Sequence, residues 1–354
     1  MRKVQSKEYV ELKGVPGSPY TRKMLALLRY RRIPYRLLQG ARHQIDADLQ
    51  RFPVRAQPKV ELLPTFYFED DNGTEVAICD STPVIRFLES CFADRHVIPG
   101  NSALAFINYL IEDYADEWLT KAMFHYRWSY QADIKKAGQM LPRWGNSTAN
   151  ELLLQQKSRA ISELQISRLS YVGSNPVTAD TIEESFTRFL KIFDKHLQSF
   201  AFILGARPSS CDFAVYGQLT CMALFDPTPQ ALILETSPRV YAWTETMEDL
   251  SGYETLEGDW LTPTELPGSL MELLREVGRV YSPYLLANAQ AVRNGEPHFQ
   301  CVIDNRPWQQ KAFPYQAKCL KWLKDFYTEL DADSKGTITT LCNSTNNSCL
   351  INSE

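Results

Sequence analysis

The sequence predicts an α/β domain followed by an all-α domain and a further, mostly helical C-terminal segment. Three observations predict it. Strand and helix signals alternate over residues 1–92, residues 93–102 contain Pro99-Gly100 and no periodicity, and from Ala103 apolar side chains recur at helical spacing. The expected division is therefore 1–92, a linker over 93–102, a helical domain over 103–265, and an extension over 266–354 with a candidate hairpin.

The N-terminal elements follow from local chemistry. Tyr9-Val10-Glu11-Leu12 reads as a strand, and Ser18 precedes Pro19 as an N-cap hydroxyl before a proline at the first helical position. The helix carries Met24, Leu25, Leu27 and Leu28 inward and runs to Arg32. Ile33 to Leu38 makes a second strand, and a weaker helix is expected over Gln44 to Phe52. After Leu63-Pro64, Thr65 to Phe68 pairs with Glu75 to Ile78 across Asn72-Gly73, a strong hairpin signal, and Asp80-Ser81-Thr82-Pro83 opens a last helix. The order β-α-β-α-β-β-α is that of a thioredoxin-like domain.

In the second half, Phe106, Leu110 and Tyr114 recur every fourth residue, with Ile107, Ile111 and Trp118 widening the stripe. This helix is expected to end before Gly138, ahead of a polar loop from Pro142 to Ser147. Helices are expected near Ala149 to Tyr171, Thr181 to Phe200, Pro238 to Leu250 and Ser269 to Gln290. Ser209 with Asp212 three residues on forms a capping box. Phe299 to Asp304 and Gln309 to Phe313 flank the expected turn Asn305-Arg306-Pro307 of the candidate hairpin, a helix follows from Tyr315 to Leu330, and the Asn/Ser-rich stretch after Asn343 is expected to be loosely ordered.

Composition narrows the class. With 354 residues, 44% of them hydrophobic, the chain can bury a substantial core, and no apolar run reaches the ~20 residues of a membrane span. A soluble, cytoplasmic protein is expected. The net charge of −4 gives no reason to expect nucleic acid, although the first 45 residues hold eleven Lys or Arg against Glu8 and Glu11. Arg22, Lys23, Arg29, Arg31 and Arg32 among them are expected to be the solvated face of the first helix. The eight cysteines form no CxxC pair and no cluster at zinc spacing, so no metal is expected. Asp331 to Ile338 imitates the start of a calcium loop, but Lys335 and Cys342 stand where oxygen ligands are required.

Ser18-Pro19-Tyr20 after the first strand, Leu63-Pro64 before the third, Asp80-Ser81 before a helix, and Leu204-Gly205-x-x-Pro208-Ser209-x-x-Asp212 together resemble a glutathione transferase over about two thirds of the chain. The Ser-Pro start is most similar to tau- or omega-type members. The resemblance implies glutathione as co-substrate, a small hydrophobic electrophile as second substrate, and a homodimer. It implies that Ser18, at a helix N-terminus that itself favours negative charge, stabilises the glutathione thiolate, with Thr21 as a substitute. It also implies a cis Pro64 that leaves the Leu63 backbone to pair with the cysteinyl part, and Asp80 and Ser81 holding the γ-glutamyl end. Lys59 is the nearest base for the glycyl carboxylate, because Glu61 and Leu62 stand where a basic residue is usual. Asp113, Trp118 and His125 are candidates for an acceptor pocket between the domains, with Trp118 and its helix meeting the base of the sheet. A helix cap at Ser18 and Asp80 explains the same residues without catalysis. A non-catalytic scaffold with the same fold, binding a protein partner through the extension, is the alternative to a transferase.

Overall fold

The computed structural model describes residues 9–39 and 54–352. Four strands, β1 (Val10–Gly14), β2 (Tyr35–Gln39), β3 (Thr65–Glu69) and β4 (Glu75–Ile78), form one sheet in the order β2-β1-β3-β4. β1 and β2 are parallel, whereas β3 and β4 run antiparallel to their neighbours. α1 (Pro19–Tyr30) supplies the crossover between β1 and β2, and α2 (Ser81–Cys91) follows β4. This is the thioredoxin-like arrangement. The expected helix over Gln44 to Phe52 lies outside the described residues. The β3–β4 connection is longer than a two-residue turn: Asp70 Oδ1 accepts from the N–H groups of Asn72 and Thr74, and Gly73 takes the left-handed φ of 80° that few other residues adopt readily.

Ser18 caps α1 through Thr21 N–H, and Met24, Leu25, Leu27 and Leu28 are buried, as the spacing predicts. The expected solvated basic face holds at Arg32, which is exposed, and is overturned elsewhere. Lys23 and Arg31 are buried, and Arg22 and Arg29 both reach Glu248. The reason is tertiary: Glu89, the pair Glu112 and Asp116, and Glu248 come from three separate segments and supply partners that local sequence does not show.

The helical part comprises α3 (Ser102–Tyr114), a π turn (Ala115–Leu119), α4 (Thr120–Ser129), α5 (Gln131–Gly145), α6 (Glu151–Ser167), α7 (Ala179–His196), α8 (Ser210–Leu224), α9 (Pro227–Thr236) and α10 (Pro238–Thr246). α5 runs through Gly138 and Pro142, where the sequence predicts an end and a loop. Pro142 stands in the last turn at the cost of the one backbone bond its nitrogen cannot donate, and Gly138 faces Ser162 of α6 too closely for a Cβ. α8 is buried at every position from Ser210 to Ala223, and its Ser209–Asp212 capping box is present. It lies directly against α1, since a Cβ at Gly217 would come within 2.8 Å of Pro19 O.

The extension is part of the core. It contains α11 (Gly268–Glu276), a π turn (Val277–Tyr281), α12 (Ser282–Asn294), the hairpin β5 (His298–Ile303) and β6 (Arg306–Lys311), α13 (Pro314–Glu329) and α14 (Ala332–Ser344). The hairpin turns at Asp304 and Asn305, both left-handed, as a two-residue turn requires. The Asn/Ser-rich stretch is ordered through Asn352, the last described residue, contrary to expectation. Thr345 and Asn347 are fully buried, and Asn347 bridges Leu274 O and the Ser282 hydroxyl. Polar composition misleads here because these side chains are spent on internal hydrogen bonds. No described helix is long and apolar enough to cross a membrane, and all eight cysteines are free thiols.

Candidate functional site

The loop between β1 and α1 is held from three sides. Arg127 on α4, itself buried in an ion pair with Asp226 at 2.8 Å, donates through Nη1 to Gly17 O at 3.0 Å. Trp144 lies so close that a Cβ at Gly17 would meet its ring at 2.4 Å. Ser18 follows, and its Oγ accepts from Thr21 N–H at 3.2 Å while donating to Leu63 O at 3.1 Å. The Leu63–Pro64 bond is cis. One hydroxyl thus joins the N-terminus of α1 to the backbone that leads into β3. Thr21 is fully buried and turns inward, so it cannot stand in for Ser18.

At the start of α2, Asp80 Oδ1 accepts from Thr82 N–H, and its Oδ2 accepts from the Tyr315 hydroxyl at 2.9 Å. Tyr315 belongs to the first turn of α13, so the extension reaches the head of α2. Ser81 is buried and its Oγ accepts from Lys23 Nζ at 3.3 Å. Lys59 is exposed, as are Glu61 and Leu62.

Behind these groups lies a buried ionic cluster. Lys23 Nζ meets Glu112 at 2.8 Å and Asp116 at 2.6 Å, while Ser210 and Thr82 donate to Glu112. Burial alone weakens the hold of Lys23 on its proton, but Asp116 and Glu112 outweigh it and keep the ammonium charged. Burial raises Asp116 against the pull of Lys23, whereas Glu112 is held below its ordinary value by Lys23 and Arg86 despite its burial. The pair therefore shares its charge unequally, with Glu112 the more acidic partner.

The expected acceptor pocket is not formed by the residues proposed for it. Asp113 is buried and accepts from the Tyr281 hydroxyl at 2.5 Å. Trp118 donates to Ser185 and packs on Tyr284 and Trp308, so it meets the extension and not the sheet. His125 is enclosed between Ser174 at 2.7 Å and Glu183 at 2.9 Å. All three are core residues: the extension covers Asp113 and Trp118, and the segment from Ser174 to Glu183 of the helical domain covers His125. Lys23, Glu112, Asp116 and Tyr315 escaped the sequence reading. The run Glu112-Asp113-x-x-Asp116-Glu117 on an otherwise apolar helix was the available signal for the acids; Tyr315 had none.

A thioredoxin-like sheet with a serine-capped first helix, set against a cis proline and joined to a helical domain, is now in view. Residues 12–96 match the family described as glutathione S-transferase, N-terminal domain. The chain carries a glutathione transferase N-terminal domain. Solved structures similar to this chain include a glutathione transferase family member from Pseudomonas fluorescens pf-5 with two glutathione bound, 13% identical over 68% of this chain and 88% of that one, TM-score 0.40. Another is a glutathione S-transferase from Methylobacterium radiotolerans in complex with glutathione sulfonate, 13% identical, covering 72% and 100%, TM-score 0.39. A third is FzlA from C. crescentus, 13% identical, covering 72% and 96%, TM-score 0.37. No curated protein matches the chain. Among the described residues, no group of three or more His, Cys, Asp or Glu side chains is placed to hold a metal ion.

Proposed function

We propose that the protein is a glutathione-dependent transferase acting on a hydrophobic electrophile, with Ser18 stabilising the thiolate. The observation that carries this reading is the 3.1 Å contact between Ser18 Oγ and Leu63 O. A cysteinyl group paired along the Leu63 backbone would bring its sulfur within reach of that hydroxyl, at a helix N-terminus that favours an anion. Asp80 and Ser81 would take the γ-glutamyl end, and Lys59 the glycyl carboxylate. A two-fold homodimer and a cytoplasmic setting belong to the same reading.

A second reading, a non-catalytic scaffold of the transferase fold, is favoured by one contact. The Tyr315 hydroxyl occupies Asp80 Oδ2 at 2.9 Å, where a ligand ammonium would have to bind. Titration calorimetry with glutathione separates the two, using the wild type and Tyr315→Phe. The transferase reading expects binding by the wild type and about tenfold tighter binding by Tyr315→Phe, because one competing hydrogen bond to a charged acceptor is removed. Failure of both proteins to bind glutathione would leave the scaffold.

A further inference from the structure

A cleft of about 780 Å³ opens where the C-terminal end of α1, the linker after α2, and the loops around residues 207 and 254–260 meet. It shares no lining residue with the candidate glutathione site. Its wall carries four arginines, Arg31, Arg32, Arg95 and Arg207, against two carboxylates, Asp94 and Glu254.

The local pairing leaves positive charge over. Arg32 takes Glu254 at 2.5 Å, and Arg95 reaches the same carboxylate only at 3.7 Å. Arg95 otherwise donates to the carbonyls of Tyr30, Leu250 and Tyr253, which satisfy its N–H groups without neutralising it. Arg31, its side chain fully buried, pairs with Glu89 at 2.7 Å and leaves Nε without a hydrogen-bond partner. Arg207 lies 4.7 Å over the Trp260 ring and donates to His96 O at 2.8 Å. Its buried Nε has no hydrogen-bond partner, and it forms no ion pair among the described residues. Burial and the like charges of Arg32 and Arg207 pull the Arg95 guanidinium below its ordinary value. Buried donors without partners, in a concave site crowded with like charge, are stabilised by an anion that can accept from several guanidinium forks at once.

We propose that this cleft binds a phosphorylated small molecule, its phosphate at Arg207 and Arg95 and its apolar body along Phe92 and Trp260. Phosphate suits the site better than a single carboxylate because it offers more acceptor oxygens and more charge to converging guanidinium groups. The volume lies within the range of small-ligand pockets.

The test is titration calorimetry of the full chain with AMP, inorganic phosphate and adenosine. AMP and phosphate are expected to bind, more weakly as ionic strength rises, and adenosine is not. Arg207→Gln should weaken AMP binding by about tenfold or more through loss of a charge-assisted contact. Gly100→Glu provides a variant that leaves the fold alone, since a Cβ at this lip position meets nothing within 4 Å. It should weaken AMP binding with an unchanged thermal midpoint. The proposal is overturned if neither AMP nor phosphate binds at millimolar concentration, if adenosine binds as well as AMP, or if both variants bind AMP as the wild type does.

Discussion

Ser18 serves two structural partners before any ligand arrives, and this shapes what its removal should do. Its hydroxyl caps α1 and ties it to Leu63. Ser18→Ala should therefore lower stability by about 1 kcal/mol, the usual worth of an N-cap. If the hydroxyl also stabilises bound thiolate, the variant should raise the thiol pKa and slow conjugation about tenfold at neutral pH while glutathione affinity barely changes. Thiolate absorbance titrated against pH, with and without the substitution, reads this directly; identical curves would reduce Ser18 to a cap. Lys23 makes the complementary case. Lys23→Met leaves Glu112 and Asp116 buried without their cation, and a loss of about 3–5 kcal/mol is expected in chemical denaturation. Neutralising both acids at the same time should recover most of that loss, since the cost lies in the unpaired charges.

The continuous helix formed by α3, its π turn and α4 concentrates buried ionisable groups, and it should give the protein a distinctive pH profile. Burial, and after it the charge of Asp113, pushes Glu117 up to about 8 from an ordinary value of 4.5. Between those values the unfolded chain ionises and the folded chain resists, so this residue makes stability fall as pH rises, by at most roughly 1.4 kcal/mol per pH unit. Burial drops the Lys121 ammonium to about 7 from 10.5 against the pull of Glu117, in a box of Trp118, Tyr284 and Trp308. The sign there is opposite: the cost of the buried ammonium is complete below pH 7 and is relieved as pH rises toward 10.5. Glu117→Gln should flatten the decline on the acid side of neutrality, measured as unfolding free energy against pH. An unchanged slope would show that Glu117 ionises freely in the folded protein. The acid run was legible in the sequence, but its burial was not, because the groups that meet it lie 89 and 93 residues back, at Lys23, and 168 and 199 residues further along, at Tyr281 and Gln316.

At the scale of the whole molecule, the extension and the helical domain share one core. Tyr281, Tyr284 and Trp308 pack on Tyr114 and Trp118, and Phe326 meets Phe106 and Tyr109. Ending the chain at Leu266 should expose this aromatic face and leave a protein that aggregates or melts without cooperativity, as followed by calorimetry and light scattering. A soluble, cooperatively folding product would mean that the extension is an accessory layer. The contact between α1 and α8 is equally tight. Gly217→Val places a branched side chain against Pro19 O and Lys23 Cβ, at 2.8 and 3.0 Å from the added Cβ. The overpacking should cost about 1–3 kcal/mol.

The sequence by itself determined the order of the described strands and helices in the N-terminal domain, the Ser18 and Asp80 caps, the Ser209–Asp212 box and, to within a few residues, the C-terminal hairpin, whose turn falls at Asp304 and Asn305 and not at Asn305 to Pro307. Each depends on neighbours within a few residues, through capping hydroxyls, proline and turn geometry, and periodicity. Only the tertiary structure decided that Lys23 and Arg31 are buried, that Asp113, Trp118 and His125 belong to the core, that the polar stretch is ordered through Asn352, and that Tyr315 sits on Asp80. These outcomes depend on partners far away in the chain, and a local pattern holds no record of which distant element will cover a given face.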